Sequence, residues 1–182
     1  MPSPEMHPGE ASMIDLEVAL NDDERLALRL LMAIEDGDFA TRVKDLCTPD
    51  FVWANSGLPT LRGQAEVLEL MAKGGFASEL PLLADMTHFS VDLLHIASRP
   101  GERGRNGVVF TERIDHHWAV SGADLMTPHI AGVMEICDGQ VAALRDFYDT
   151  VCYSQEPPAA DPAFTLEAFS ERTRARAATG VR

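Results

Sequence analysis

The 182-residue chain predicts an α+β domain, and three observations carry that expectation. Apolar residues recur with helical spacing between Asn21 and Lys73, bracketed by capping signals. From Thr87 to Tyr153 the pattern changes to β-type runs separated by turn residues. Asp138-Gly139 then stands between two of those runs, as a tight hairpin requires. Helices followed by an antiparallel meander lie against one face of a sheet. If the sheet, antiparallel or mixed, is strongly curved, the helices close its open side and the result is a cone around a deep pocket.

In chain order, residues 1–20 are Pro-rich and acidic and read as a flexible N-terminal arm, 21–153 as one domain, and 154–182 as a C-terminal tail with a partial helix. The first helix lies within "NDDERLALRLLMAIEDGD": Asn21 or Asp22 can cap it, acids fill its first turn and Gly37 can end it. Leu26, Leu30 and Ala33, flanked by Leu31 and Ile34, make its apolar stripe. A short second helix covers Phe39 to Leu46, stopped by Thr48-Pro49. "DFVWANSG" is rich in β-formers and closed by Gly57. A third helix runs from Gln64 to Lys73 and ends at paired glycines. "FASELPLLADM", broken by Pro81, reads as a loop or short helix. "HFSVDLLHIAS" and "GVVFTERIDHHWAV" are strands joined by the mobile, basic linker "RPGERGRNG". "HIAGVMEIC" and "QVAALRDFYDTVCY" form the closing hairpin.

Composition narrows the function. A formal charge of −14 repels nucleic-acid phosphates and anionic membrane surfaces, so neither is an expected partner. No apolar run approaches the ~20 residues of a membrane span, and no basic patch precedes an apolar run, which predicts a cytoplasmic protein. Cys47, Cys137 and Cys152 have neither CxxC nor zinc-like spacing and read as small apolar residues in a reducing compartment.

The chemistry concentrates in "VVFTERIDHHWAV". In a strand, residues two apart share a face, so Thr111, Arg113, Asp115 and His117 look one way. Phe110, Glu112, Ile114, His116 and Trp118 look the other. Neither face is cleanly apolar, as expected of a functional strand. Adjacent His116 and His117 point oppositely and cannot easily hold one metal ion. His88, His95 and His129 read as structural or surface residues. On the last strand Leu144, Asp146 and Tyr148 share a face, from which Asp146 could approach Arg113. The plain alternatives are a surface ion pair for Arg113 and Asp115, a strand-end charge for Asp146, a core wall for Trp53 and a turn former for Asn55. Leu68, Met71, Phe76, Leu80, Leu83, Met86, Leu125 and Met126 are candidates to line a cavity.

"FTERID", "GVMEICDGQVAALRDFYD" and the upstream "FVWANSG" together resemble the limonene-1,2-epoxide hydrolase family, within the SnoaL-like and NTF2-like group. The resemblance spans about Glu24 to Tyr153. It implies an NTF2-like cone, a homodimer built through the sheet, and hydrolysis of a hydrophobic epoxide without cofactor or metal. Asp146 would be the general base acting on a water held by Asn55 and Trp53, Asp115 the general acid, and Arg113 the bridge orienting both. His117, Tyr148 and Leu144 are the candidate substrate contacts. One departure stands out: the family's water-binding aromatic is a tyrosine, whereas Trp53 offers only an indole N–H. Poorly placed water would let a substrate hydroxyl attack instead, giving an epoxide-opening cyclase. A noncatalytic pocket protein and a SnoaL-like aldol cyclase or isomerase are the other readings.

Overall fold

The computed structural model describes residues 14–102 and 106–154. The expectations for residues 1–13, for the middle of the basic linker and for the tail beyond 154 lie outside the described residues.

Helix α1 (Asp22–Glu35) starts where an N-cap allows. The Asn21 side chain accepts from the Glu24 amide at 2.9 Å, satisfying one of the donors a helix start leaves over. Glu24 is nearly fully buried, and its carboxylate accepts from the Leu20 amide (2.8 Å) and the Ser98 hydroxyl (2.7 Å). That ties the helix start to the sheet. Ala27, Leu28, Leu30, Leu31 and Ala33 form its buried stripe. Helix α2 (Phe39–Leu46) adds Phe39 and Val43 to the same core.

Strand β1 (Cys47–Asn55) begins at once, so Thr48-Pro49 ends the helix but lies inside the strand. Proline is tolerated because the ladder to the neighbouring strand shifts between Cys47 and Val52. A two-residue strand β2 (Leu61–Arg62) leads into helix α3 (Gly63–Ala72), followed by 3-10 turns at Gly75–Glu79 and Pro81–Leu83. Strands β3 (Met86–Arg99), β4 (Gly107–Ala119), β5 (His129–Cys137) and β6 (Gln140–Phe147) complete a mixed, curved and unclosed sheet of order β2-β1-β6-β5-β4-β3. The β5–β6 turn has φ 49° at Asp138 and 78° at Gly139, left-handed at both central residues as a two-residue hairpin demands.

β1 pairs in parallel with β6, whereas the other ladders are antiparallel. α3 follows β1, so the chain can return to lay β6 beside it in the same direction. This parallel pair sets Asn55 opposite Asp146 and Trp53 opposite Leu144. α1 packs on β3 and β4, and α3 on β1. Ahead of α1, Ile14 and Ala19 are buried in this core around a 3-10 turn at Leu16–Val18, so packing begins before the expected boundary at 21. Among the described residues no helix is long and apolar enough to cross a membrane.

Candidate active site

β4 buries Thr111, Arg113 and Asp115 on its inner face, and Arg113 is 2% exposed. A guanidinium cannot be deprotonated to escape burial, so it must be paired. It is paired twice. Arg113 Nε donates to Asp115 Oδ1 at 2.8 Å, and Nη2 donates to Asp146 Oδ2 at 2.7 Å and to Asp115 Oδ2 at 3.3 Å. Nη1 reaches the Thr111 hydroxyl at 3.3 Å.

Asp146 lies two strands away, and β5 runs between. The register explains how the arginine crosses it: Asn55, Asp146, Gly132 and Thr111 form one row across β1, β6, β5 and β4. At Gly132 a Cβ would lie 2.4 Å from Arg113 Nη1 and from Thr111 Oγ1, and 3.1 Å from Asp146 Oδ1. Glycine is there because the guanidinium passes over its Cα. Gly132 is thus a site residue that the motif reading passed over; an isolated glycine within an apolar strand was its signal.

Two carboxylates and one guanidinium carry −1 if fully ionised, and zero if they share a proton. Burial pushes the Asp146 carboxyl above its ordinary 3.8, against the lowering pull of Arg113, and Asp115 pushes it further up. Burial alone would lower the Arg113 value, but the two aspartates overcome it and hold the guanidinium firmly charged.

Trp53 Nε1, Asn55 Nδ2 and Asp146 Oδ1 are buried and have no hydrogen-bond partner within the protein. Such atoms are few in folded proteins, and each costs about 1–3 kcal/mol. Here two donors and one acceptor line one pocket, and Asn55 is in register with Asp146. The set suits a small molecule that accepts N–H bonds and donates to a carboxylate. The Trp53 ring is fixed edge-on against Phe39 (5.3 Å) and Phe76 (5.0 Å).

The pocket has a volume of about 370 Å³. Its walls include Met71, Phe76, Leu80, Leu83, Met86 and Met126, as expected, but neither Leu68 nor Leu125. His117 and Tyr148 line it. Leu144 does not: it is 1% exposed, paired with Trp53 and Met134, within the core. Alternation gave its face correctly, but depth along the strand is not periodic, so Leu144 is corrected from substrate contact to core. Tyr153, expected at the end of a strand, instead closes a 3-10 turn at Thr150–Tyr153 and lines the pocket beside Tyr148. Its hydroxyl donates to the Ser56 carbonyl at 2.7 Å.

His116 and His117 point to opposite faces. On the outer face His116 Nδ1 bonds Asp124 Oδ2 at 2.5 Å, and Nε2 lies 3.6 Å from Asp92 Oδ2. Asp124 Oδ1 also accepts the His117 amide at 3.1 Å, which ties the loop after β4 back onto the strand. Burial would lower the His116 pKa, but the two carboxylates push it up to about 9 from an ordinary 6.5. A value raised by folding gives stability that is fully present below pH ~6.5 and lost as pH rises through about 9. With solvent screening of the partly exposed ring, on the order of 1–2 kcal/mol is at stake. Thermal melts from pH 6 to 10 should show that loss in wild type and not in His116→Gln. Parallel curves for the two proteins would refute the clamp.

The profile of the limonene-1,2-epoxide hydrolase catalytic domain matches residues 22–155. Among solved structures, an LEH-like epoxide hydrolase of M. tuberculosis is 19% identical with a TM-score of 0.51, covering 87% of this chain and 96% of that one. An NTF2-like protein of unknown function from Burkholderia pseudomallei is 17% identical with a TM-score of 0.51, covering 72% of this chain and 94% of that one. A hexachlorocyclohexane dehydrochlorinase from Novosphingobium barchaimii is 15% identical with a TM-score of 0.51, covering 70% of this chain and 84% of that one. At these identities the structural likeness shows a shared fold and nothing about reaction.

Proposed function

Because the chain belongs to the limonene-1,2-epoxide hydrolase family, we propose that it adds water to the epoxide of a hydrophobic small molecule in one step, by general acid and base catalysis. The observation that carries this reading is the buried Arg113 bridge between Asp115 and Asp146 in a mostly apolar pocket.

Asp146 is the base. Its Oδ1 is the carboxylate oxygen that Arg113 leaves without a partner, and it is in register with Asn55. A water accepting from Asn55 Nδ2 and Trp53 Nε1 can donate to that oxygen. A carboxyl raised by burial is also the stronger base once ionised. Asp115 is the acid, delivering its proton from Oδ2, the oxygen held at the longer 3.3 Å distance. As the water oxygen bonds to one ring carbon, the carbon–oxygen bond behind it breaks. The water's proton goes to Asp146 and the Asp115 proton goes to the ring oxygen, giving a vicinal diol. The pair holds one proton before and after, and the cycle closes when it returns from Asp146 to Asp115. Each transfer contributes about 10²–10⁴-fold.

Trp53, standing where the family has tyrosine, supports a second reading in which a substrate hydroxyl replaces the water. Turnover in ¹⁸O-labelled water separates the two: hydrolysis puts one labelled oxygen in a diol, whereas cyclisation gives an unlabelled ring. Ligand retention without turnover by a small epoxide panel would favour a binding protein instead. A homodimer through the outer sheet face belongs to the same reading. Phe110 and Phe147 are half-exposed there, and sedimentation velocity tests it directly.

A further inference from the structure

Outside the Asp–Arg–Asp group the pocket contains other polar side chains, and their hydrogen-bond polarity is fixed by the protein. A carbonyl oxygen can only accept. Tyr153 Oη therefore spends its proton on the Ser56 carbonyl. Tyr148 Oη, bonded to Tyr153 Oη, must then be the donor of that pair. Burial and this bond to Tyr153 push the Tyr148 hydroxyl up, so it keeps its proton. What it has left for the pocket is lone pairs. His117 repeats the logic on β4. Its Nδ1 lies 2.8 Å from the Met126 carbonyl, so Nδ1 carries the hydrogen. Burial holds the ring's pKa down, and a neutral ring with its proton on Nδ1 has a bare lone pair at Nε2.

The two acceptors are also placed alike. β4 and β6 are each antiparallel to β5 and so run in one direction. His117 is two residues past Asp115, and Tyr148 is two residues past Asp146. Each acceptor thus lies beyond its own aspartate in that common direction, roughly 7 Å further along the chain. An apolar epoxide would leave both lone pairs buried against hydrocarbon. Building on the hydrolase reading, we propose that the substrate is a hydroxylated epoxide, whose skeletal hydroxyl groups donate to Tyr148 Oη and His117 Nε2 while the ring lies between Asp115 and Asp146.

The test uses three epoxides of one apolar skeleton that carry hydrogen, hydroxyl or methoxy at a position several bonds from the ring. Dissociation constants are measured by equilibrium dialysis on Asp146→Asn, and kcat/KM on wild type. The alcohol should bind about five- to tenfold more tightly than the methyl ether. Tyr148→Phe should bring that ratio towards one. Tyr153→Phe gives the sharper result: with its acceptor removed, the Tyr148 hydroxyl is free to donate into the pocket, so the ratio should fall or invert. The bulk of the methoxy group is the same in every protein and cannot produce that change. Equal binding of alcohol and ether before either tyrosine is changed, or a ratio unmoved in both tyrosine variants, overturns the proposal. Turnover of all three without preference leaves a hydrolase and removes the hydroxyl requirement. Preferential binding without any turnover removes the hydrolase and keeps the requirement.

Discussion

Asp146→Asn is expected to lower kcat by about 10²–10⁴-fold on any epoxide the wild type opens, without loss of fold. Asparagine keeps the shape and can still accept from Arg113 Nη2, but it cannot take a proton from water. The stability side separates catalysis from packing. Because burial raises the Asp146 carboxyl above 3.8, what this group gives the fold is present at acid pH and lost as pH rises through the folded-state value. Above the ordinary 3.8 that contribution is being lost, and the neutral amide, which does not titrate, should leave the melting temperature at neutral pH equal or higher. Asp115→Asn should cost a similar factor in kcat, since it removes the proposed proton donor. Wild-type rates in both variants would refute the acid–base pair. A defect in only one would point to single-carboxylate chemistry such as an aldol cyclase or isomerase. Rates and melts of the three proteins on one epoxide panel decide among these outcomes.

Gly132→Ala is expected to be as damaging as any change within the triad, though it adds a single methyl group to a strand. Its backbone φ is not in the left-handed region, so alanine meets no conformational objection. The penalty comes from Arg113 Nη1, 2.4 Å from the new Cβ. The guanidinium is pinned by two carboxylates and has nowhere to go without breaking one contact. Breaking a buried ion pair costs about 3–5 kcal/mol, and a displaced arginine leaves Asp115 and Asp146 facing each other unshielded. Urea melts should show the unfolding free energy falling by that amount, with turnover of any epoxide below detection. A Gly132→Ala protein that melts like wild type and keeps its kcat would mean that the arginine does not cross β5 at this point.

Both expectations depend on how residues far apart in sequence are brought together, and there the two levels of information divide. Strand alternation alone put Arg113 and Asp115 on one face, because neighbouring side chains in an extended chain must point oppositely. Helix stops and turns were equally local: Asn21 caps α1, and Asp138-Gly139 can adopt the left-handed angles of a two-residue turn. The motif order across "FVWANSG", "FTERID" and "RDFYD" was enough to indicate the family.

Which face turned inward, and at what depth, was not local. Leu144 has the right parity for the pocket, yet it is fully buried in the core, in register between Trp53 and Met134. Tyr153 reads as strand until a 3-10 turn carries it back to Ser56. Gly132 carries no functional group at all, and its importance comes from what passes over it. Local pattern was sufficient for the chemistry on offer, two aspartates and an arginine on predictable faces. That they meet is a property of the assembled sheet, because burial and cross-strand register are sums over all its strands and no window of neighbouring residues contains them.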